Sequence, residues 1–144
     1  MKRRVRQLDH VALHVADVSV SVGFYRDALG LEPMPRPAFD FPGAWFRLGP
    51  TQELHLIGDR AQPVHSHNRG NHFALLVDDV DEAQAFLRSR GVPILKRNTR
   101  PDGAAQVFIQ DPDGHVIEFC GQPPQAPPRP PAQPPAKPTD RGGP

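Results

Sequence analysis

Asp9-His10-Val11-Ala12-Leu13-His14-Val15-Ala16-Asp17-Val18 is matched, 62 residues on, by Asn71-His72-Phe73-Ala74-Leu75-Leu76-Val77-Asp78-Asp79-Val80. In the first stretch Val11, Leu13 and Val15 alternate with His10, Ala12 and His14. In the second, Phe73, Leu75 and Val77 hold the apolar positions. Alternation at period two is a strand with one face on a core. Each strand starts with a histidine on the opposite face and ends in acidic residues suited to cap a helix.

The segments after the two strands repeat as well. Asp17 or Ser19 can cap a helix from about 19 to Leu29, closed by Gly30, with Val22, Tyr25 and Leu29 at helical spacing. Short strands are expected near 31–36, 44–49 and 52–57, the first two separated by a loop rich in Pro and Phe. In the second half, Asp79 or Asp81 can cap a helix ending at Arg90 before Gly91, with Ala83, Phe86 and Leu87 as its buried stripe. Strands are expected near 93–98, 104–110 and 115–120, the last two joined by Asp111-Pro112-Asp113-Gly114, a strong turn signal. The order is βαβββ twice, an α+β chain of two modules at about 7–58 and 70–121, joined by a polar segment around 58–70.

The bulk numbers fit one domain. Of 144 residues, about 1–121 carry nearly all large apolar side chains. From Gln122 on stand ten of the nineteen prolines and no Leu, Ile, Val or aromatic, so 122–144 is expected to be a disordered Pro-rich tail. A net charge of +1 gives no attraction to nucleic acid or an anionic membrane. No apolar stretch is long enough to span a bilayer, and none follows the basic start as a signal peptide would. One cysteine, Cys120, excludes an intrachain disulfide, which makes the cytoplasm the expected location.

The repeat extends to metal-ligating residue types. His55 stands about 45 residues after His10, and Glu118 the same distance after His72; from His55 to Glu118 is 63 residues. Alternation sets Leu54, Leu56, Ile117 and Phe119 on the core face, so His55 and Glu118 point the other way. If the modules pair about a pseudo-twofold axis, His10, His55, His72 and Glu118 meet in one cleft. Three imidazoles and a carboxylate without thiolate suit Zn, Ni, Mn, Fe(II) or Co. Four such ligands in an octahedral shell leave two positions for a small substrate with neighbouring oxygens.

Other residues fall on the same face. Glu53 is two residues from His55 and can serve as a general base beside Glu118. His14, Trp45, Arg47, Gln106 and Phe108 are candidate substrate contacts. Phe39 and Phe41 can form an apolar lid or a subunit contact. His65 and His67 lie in the inter-module loop and stay outside the site.

Four segments together resemble a known superfamily. They are Leu8-Asp9-His10-Val11-Ala12-Leu13, Phe24-Tyr25-Arg26-Asp27-Ala28-Leu29-Gly30, Asn71-His72-Phe73-Ala74 and Asp111-Pro112-Asp113-Gly114-His115-Val116-Ile117-Glu118. The chain is similar over about residues 7–121 to the vicinal oxygen chelate superfamily, which holds glyoxalases, bleomycin-resistance proteins and extradiol dioxygenases. The run from Arg36 to Phe46, followed by Leu54-His55-Leu56, most resembles a glyoxalase-I-like branch. The resemblance implies a U-shaped open barrel of two βαβββ modules around a divalent ion, with ligands at His10, His72 and Glu118 and position 55 as the fourth. Glyoxalase I usually has a glutamate at position 55, so His55 departs from that pattern. Tyr25 matches a structural helix position there.

Two classes of function are open to such a chain. The first is a metal-dependent enzyme acting on a small oxygenated substrate, with isomerase or lyase chemistry of the glyoxalase type ahead of epoxide-opening thiol transfer or dioxygenase chemistry. The other is a ligand-sequestering protein like the bleomycin-resistance relatives, which generally lack the metal ligands that this chain keeps. A homodimer is expected, and it can swap modules so that His10 and His55 of one chain join His72 and Glu118 of the other.

Overall fold

The computed structural model describes residues 4–125 and 127. Strand β1 (His10–His14) forms where the alternation is strictest and leads into helix α1 (Val18–Gly23). Asp17 rather than Ser19 caps that helix, its carboxylate accepting from the Val20 N–H at 3.2 Å. Three of the six residues of α1 are valine, a poor helix former, so the helix relies on packing. It continues as a π-helical turn over Phe24–Ala28, where the Leu29 N–H reaches the Phe24 carbonyl at 3.0 Å. That turn carries Tyr25, which is fully buried. Strands β2 (Pro33–Met34), β3 (Gly43–Arg47) and β4 (Glu53–Ile57) complete the first module. β2 is shorter than the expected 31–36, because Pro33 and Pro35 remove ladder N–H donors.

The second module repeats the order with β5 (Phe73–Leu76), α2 (Val80–Ser89), β6 (Lys96–Thr99), β7 (Ala105–Gln110) and β8 (Val116–Cys120). Asp79, not Asp81, caps α2, accepting from the Asp81 and Glu82 N–H groups. The two sheets have matching strand orders, β1-β4-β3-β2 and β5-β8-β7-β6, with β1–β4 and β5–β8 parallel and the rest antiparallel. Registers match as well: Ala12 and Trp45 flank His55, while Ala74 and Phe108 flank Glu118. The α+β pair of βαβββ modules expected from the sequence is the fold observed, with two separate sheets that do not close into a barrel. The expected Pro-rich tail lies, at 126 and from 128 on, outside the described residues.

One apolar core joins the helix sides of both sheets and includes Leu13, Tyr25, Phe46, Leu54, Leu87, Ile109 and Ile117. A polar knot at the 111–114 turn ties the modules together. The Tyr25 hydroxyl donates to Asp111 Oδ2 at 2.8 Å, and burial with the neighbouring Asp111 carboxylate pushes its pKa far above the ordinary tyrosine value. Asp113 accepts from the Ala16 N–H at 2.8 Å and pairs with Arg60 at 2.7 Å. Burial alone would raise the Asp113 pKa, but the bonds from Arg60 and the Ala16 N–H outweigh it and lower the value. A lowered folded-state pKa stabilises the fold above the unfolded value and loses that contribution as pH falls through the folded one. Urea midpoints should therefore drop below about pH 4, and this acid limb should flatten in an Asp113→Asn variant.

Gly43 opens β3 at a point where a side chain has no room. A Cβ there would collide with the Leu56 carbonyl oxygen across the sheet and lie 2.9 Å from the Arg36 guanidinium. Arg36 crosses over this glycine, donates to the Phe41 carbonyl at 2.9 Å and stacks over the Phe39 and Phe41 rings. Gly43→Ala should cost about 2–3 kcal/mol by forcing β3 away from β4, read as a lower chemical midpoint at unchanged m-value.

Candidate metal centre

Sheet alternation sets the candidate donors on the faces turned away from the helices. On the first sheet, His10 and His55 are brought together, their rings stacked at 4.2 Å between centroids. Trp45, from β3, stacks on His55 at 3.9 Å and 2°. Because β4 lies between β1 and β3, His55 is sandwiched by the two rings. Glu53 Oε2 is 2.7 Å from His55 Nε2, and Asp9 Oδ2 is 2.8 Å from His10 Nδ1.

On the second sheet, His72 Nε2 faces Glu118 Oε2 at 3.0 Å. The other edge of His72 is fixed by the Gly70 carbonyl, 3.0 Å from Nδ1. Gln106 donates from Nε2 to Glu118 Oε1 at 2.7 Å, and Phe108 meets the His72 ring edge-on at 5.7 Å. Glu118 is 5% exposed and Phe108 2%. Phe108 is thus the floor of this half-site, as Trp45 is the wall of the other.

The Gly70 carbonyl and an ionised Glu118 carboxylate both accept only, so each ring nitrogen of His72 faces an acceptor and a neutral ring can donate to just one of them. With the proton on Nδ1, the Nε2 lone pair and a Glu118 oxygen face one another at 3.0 Å. Two acceptors at that distance need a cation between them, either a proton or a metal ion. His10 is similarly held through Nδ1, which leaves Nε2 as its donor atom. Imidazoles anchored through one nitrogen by an oxygen are the usual partners of a bound metal. The residues present therefore fit a divalent ion in donor type and orientation.

The four donors form two contacting pairs, His10 with His55 and His72 with Glu118. Among the described residues, the group of three or more ligand atoms within 4.8 Å of one another is Asp111, Asp113 and His115, not the four expected donors. The contacts joining the modules run through the helix side and the 111–114 turn, including Tyr25–Asp111, Arg60–Asp113 and the Arg90 bond to the Asp27 carbonyl. Three clefts of the chain, near Leu76–Asp81 with Arg97, at 64–71 and beside Gly103 and Pro124, contain none of the four donors.

The Asp111–Asp113–His115 group is already saturated. Asp111 accepts from the Tyr25 hydroxyl, the Asp113 and His115 N–H groups and His115 Nδ1. Asp113 accepts from Ala16, Arg60 and, at 3.4 Å, the Ser21 hydroxyl. No oxygen of Asp111 has a lone pair to spare, so this group serves as the structural knot. The sequence marks Asp111-Pro112-Asp113-Gly114 as a turn and Tyr25 as a helix residue, but no spacing signal ties Tyr25, Ala16 or Arg60 to it. Asp9 and Gly70, which orient His10 and His72, also go unmarked, since a backbone carbonyl leaves no trace in residue type.

The remaining candidates take varied positions. His14 shares the open face, with Nε2 2.9 Å from the Gly58 carbonyl, so it is held at the far end of β1. Arg47 pairs with Glu32 at 3.4 Å on the exposed rim. Phe39 stacks on Phe41 at 5.1 Å and tilts against Trp45 at 6.2 Å, which extends the aromatic wall from His55 outward.

Comparison with known proteins agrees with the fold. A lactoylglutathione lyase of Salmonella typhimurium is 31% identical over 121 residues, covering 78% of this chain and 90% of that protein. The crystal structure of a glyoxalase family protein from Enterococcus faecalis superposes with a TM-score of 0.67 at 27% identity, covering 80% of this chain and 97% of its own. A lactoylglutathione lyase structure from Agrobacterium tumefaciens shares the fold, with a TM-score of 0.67 at 24% identity, over 83% and 96% of the two chains. The family profile for the Glyoxalase/Bleomycin resistance protein/Dioxygenase superfamily matches residues 7–119. With a duplicated βαβββ module, matched registers and a match across nearly all of its folded part, the chain belongs to the glyoxalase/bleomycin resistance protein/dioxygenase superfamily.

Proposed function

We propose that the protein is a divalent-metal-dependent enzyme of the glyoxalase type, a lyase or isomerase acting on a small substrate with neighbouring oxygens. The observation that carries this reading is the facing pair of acceptors, His72 Nε2 and Glu118 Oε2 at 3.0 Å, with His10 and His55 at the matching register of the other module. His10, His55, His72 and Glu118 would hold the ion, which supplies Lewis-acid stabilisation of negative charge developing on substrate oxygen. In this reading a second copy completes each centre, His10 and His55 from one chain joining His72 and Glu118 from the other.

The rest of the work falls to this chain's own side chains. Glu118 has its two oxygens held separately, by His72 and by Gln106, which fixes the carboxylate plane. In this reading Glu118 takes a proton from the carbon next to the substrate carbonyl and returns it to the neighbouring carbon. Trp45 and Phe108 exclude water from the two halves and keep the polar contacts in a low-dielectric setting. A single cysteine fits operation in the reducing cytoplasm.

The reading is tested by following formation of lactoylglutathione from a 2-oxoaldehyde and glutathione, alongside adducts of other small thiols. Metal-depleted protein should be inactive, and Zn, Ni, Mn, Fe(II) or Co should restore turnover. Equal turnover in depleted and reloaded protein would contradict metal dependence.

A further inference from the structure

His55 differs from the other two candidate imidazoles in how it is held. Both ring faces are covered, by Trp45 at 3.9 Å and His10 at 4.2 Å, and its side chain is 14% exposed. Its edge is tied through Nε2 to Glu53 Oε2 at 2.7 Å. An ionised carboxylate accepts only, so Nε2 carries the proton and Nδ1 the lone pair. His10 is tied instead through Nδ1, and His72 has an oxygen at each nitrogen, Gly70 at Nδ1 and Glu118 at Nε2.

The repeat shows that this device belongs to one half only. By register Glu53 corresponds to Val116, which is buried and has no polar group. The second half needs no counterpart, because its position equivalent to His55 is the carboxylate Glu118. A glutamate presents an oxygen in several rotations, whereas an imidazole presents a donor only if the right nitrogen is deprotonated and aimed. The bond from His55 Nε2 to Glu53 Oε2 gives Glu53 a hold on the orientation of the ring.

We infer that Glu53 is a positioning residue that selects the Nε2–H tautomer of His55, so that Nδ1 is the atom this half-site offers to the ion. This rests on the metal reading above. Long-range nitrogen–proton NMR spectra of the metal-free full-length protein report the tautomer directly. They should show Nε2–H at His55 in the wild type and a tautomer mixture in Glu53→Ala. Zinc affinity, measured by competition with a chromophoric chelator, should weaken about 10–100-fold in Glu53→Ala. Glu53→Gln should retain it, because the amide oxygen still accepts from Nε2–H. An Nδ1–H tautomer in the wild type, or equal zinc affinity in wild type and Glu53→Ala, overturns the inference while leaving the metal reading standing. A wild-type protein that binds none of Zn, Ni, Mn, Fe(II) and Co overturns both.

Discussion

Chains carrying His10→Ala and chains carrying Glu118→Ala, each retaining almost no metal alone, should regain about a quarter of the wild-type metal content when unfolded and refolded together. The figure comes from the geometry of shared sites. In a dimer whose centres each take His10 and His55 from one chain and His72 and Glu118 from the other, either substitution damages both centres of its homodimer. In the mixed dimer, one centre receives both substitutions and the other receives neither. Random pairing makes about half of all dimers mixed, and one of their two centres is intact. Centres built within one chain would give no recovery, since every chain lacks a ligand. The division of the donors into a first-module pair, His10–His55, and a second-module pair, His72–Glu118, is what suggests the shared arrangement. Metal content serves as the readout, so the result does not depend on finding the substrate.

The largest loss of stability is expected at Asp111, not at the metal ligands. Its side chain is wholly buried and accepts from four donors belonging to both modules and to its own turn. Asp111→Ala leaves the Tyr25 hydroxyl, two backbone N–H groups and a His115 nitrogen without their acceptor. Removing one partner from such a buried network costs about 3–5 kcal/mol, which lowers Tm by roughly 10–20 °C for a folded region of this size. Tyr25→Phe removes only one of those bonds and should cost about 1–2 kcal/mol. Thermal scans by near-ultraviolet circular dichroism at fixed protein concentration check both values. A Tm loss of only a few degrees in Asp111→Ala would show that the turn does not tie the modules together.

The fold is legible in the sequence because the signals that specify it are local and occur twice. Alternation at His10–His14 and 73–76 places β1 and β5, and the acidic residues after each strand place the two helix starts. Sequence and structure part where local signals compete. The expected single helix from 19 to Leu29 is an α-helix that widens into a π turn at Phe24–Ala28, set by the burial of Tyr25 and not by any residue preference. β2 loses most of its length to flanking prolines. At the candidate site, the sheet face is readable for His10, His55, Glu118, Trp45 and Phe108, because a period of two leaves little choice. Which of these residues converge is not readable. The direction in which two modules join depends on Tyr25, Arg60 and the 111–114 turn, contacts between residues 50 to 100 positions apart that carry no periodic signature.

The comparisons give the superfamily, and His55 is the candidate donor whose surroundings in this chain are the most closely built. Its sandwich between Trp45 and His10 and its bond to Glu53 show a built position, with every side of the ring except Nδ1 engaged. A histidine kept only as strand filler would not need two aromatic faces and a carboxylate to hold it.

The most direct test of the metal centre is elemental analysis by inductively coupled plasma mass spectrometry on tagless protein purified without chelators. About one Zn, Ni, Mn, Fe or Co per chain is expected, equivalent to two centres per dimer, and the metal should be lost in His72→Ala. A wild-type protein that stays empty after dialysis against each of these ions would contradict the account and favour a ligand-sequestering role on the same fold.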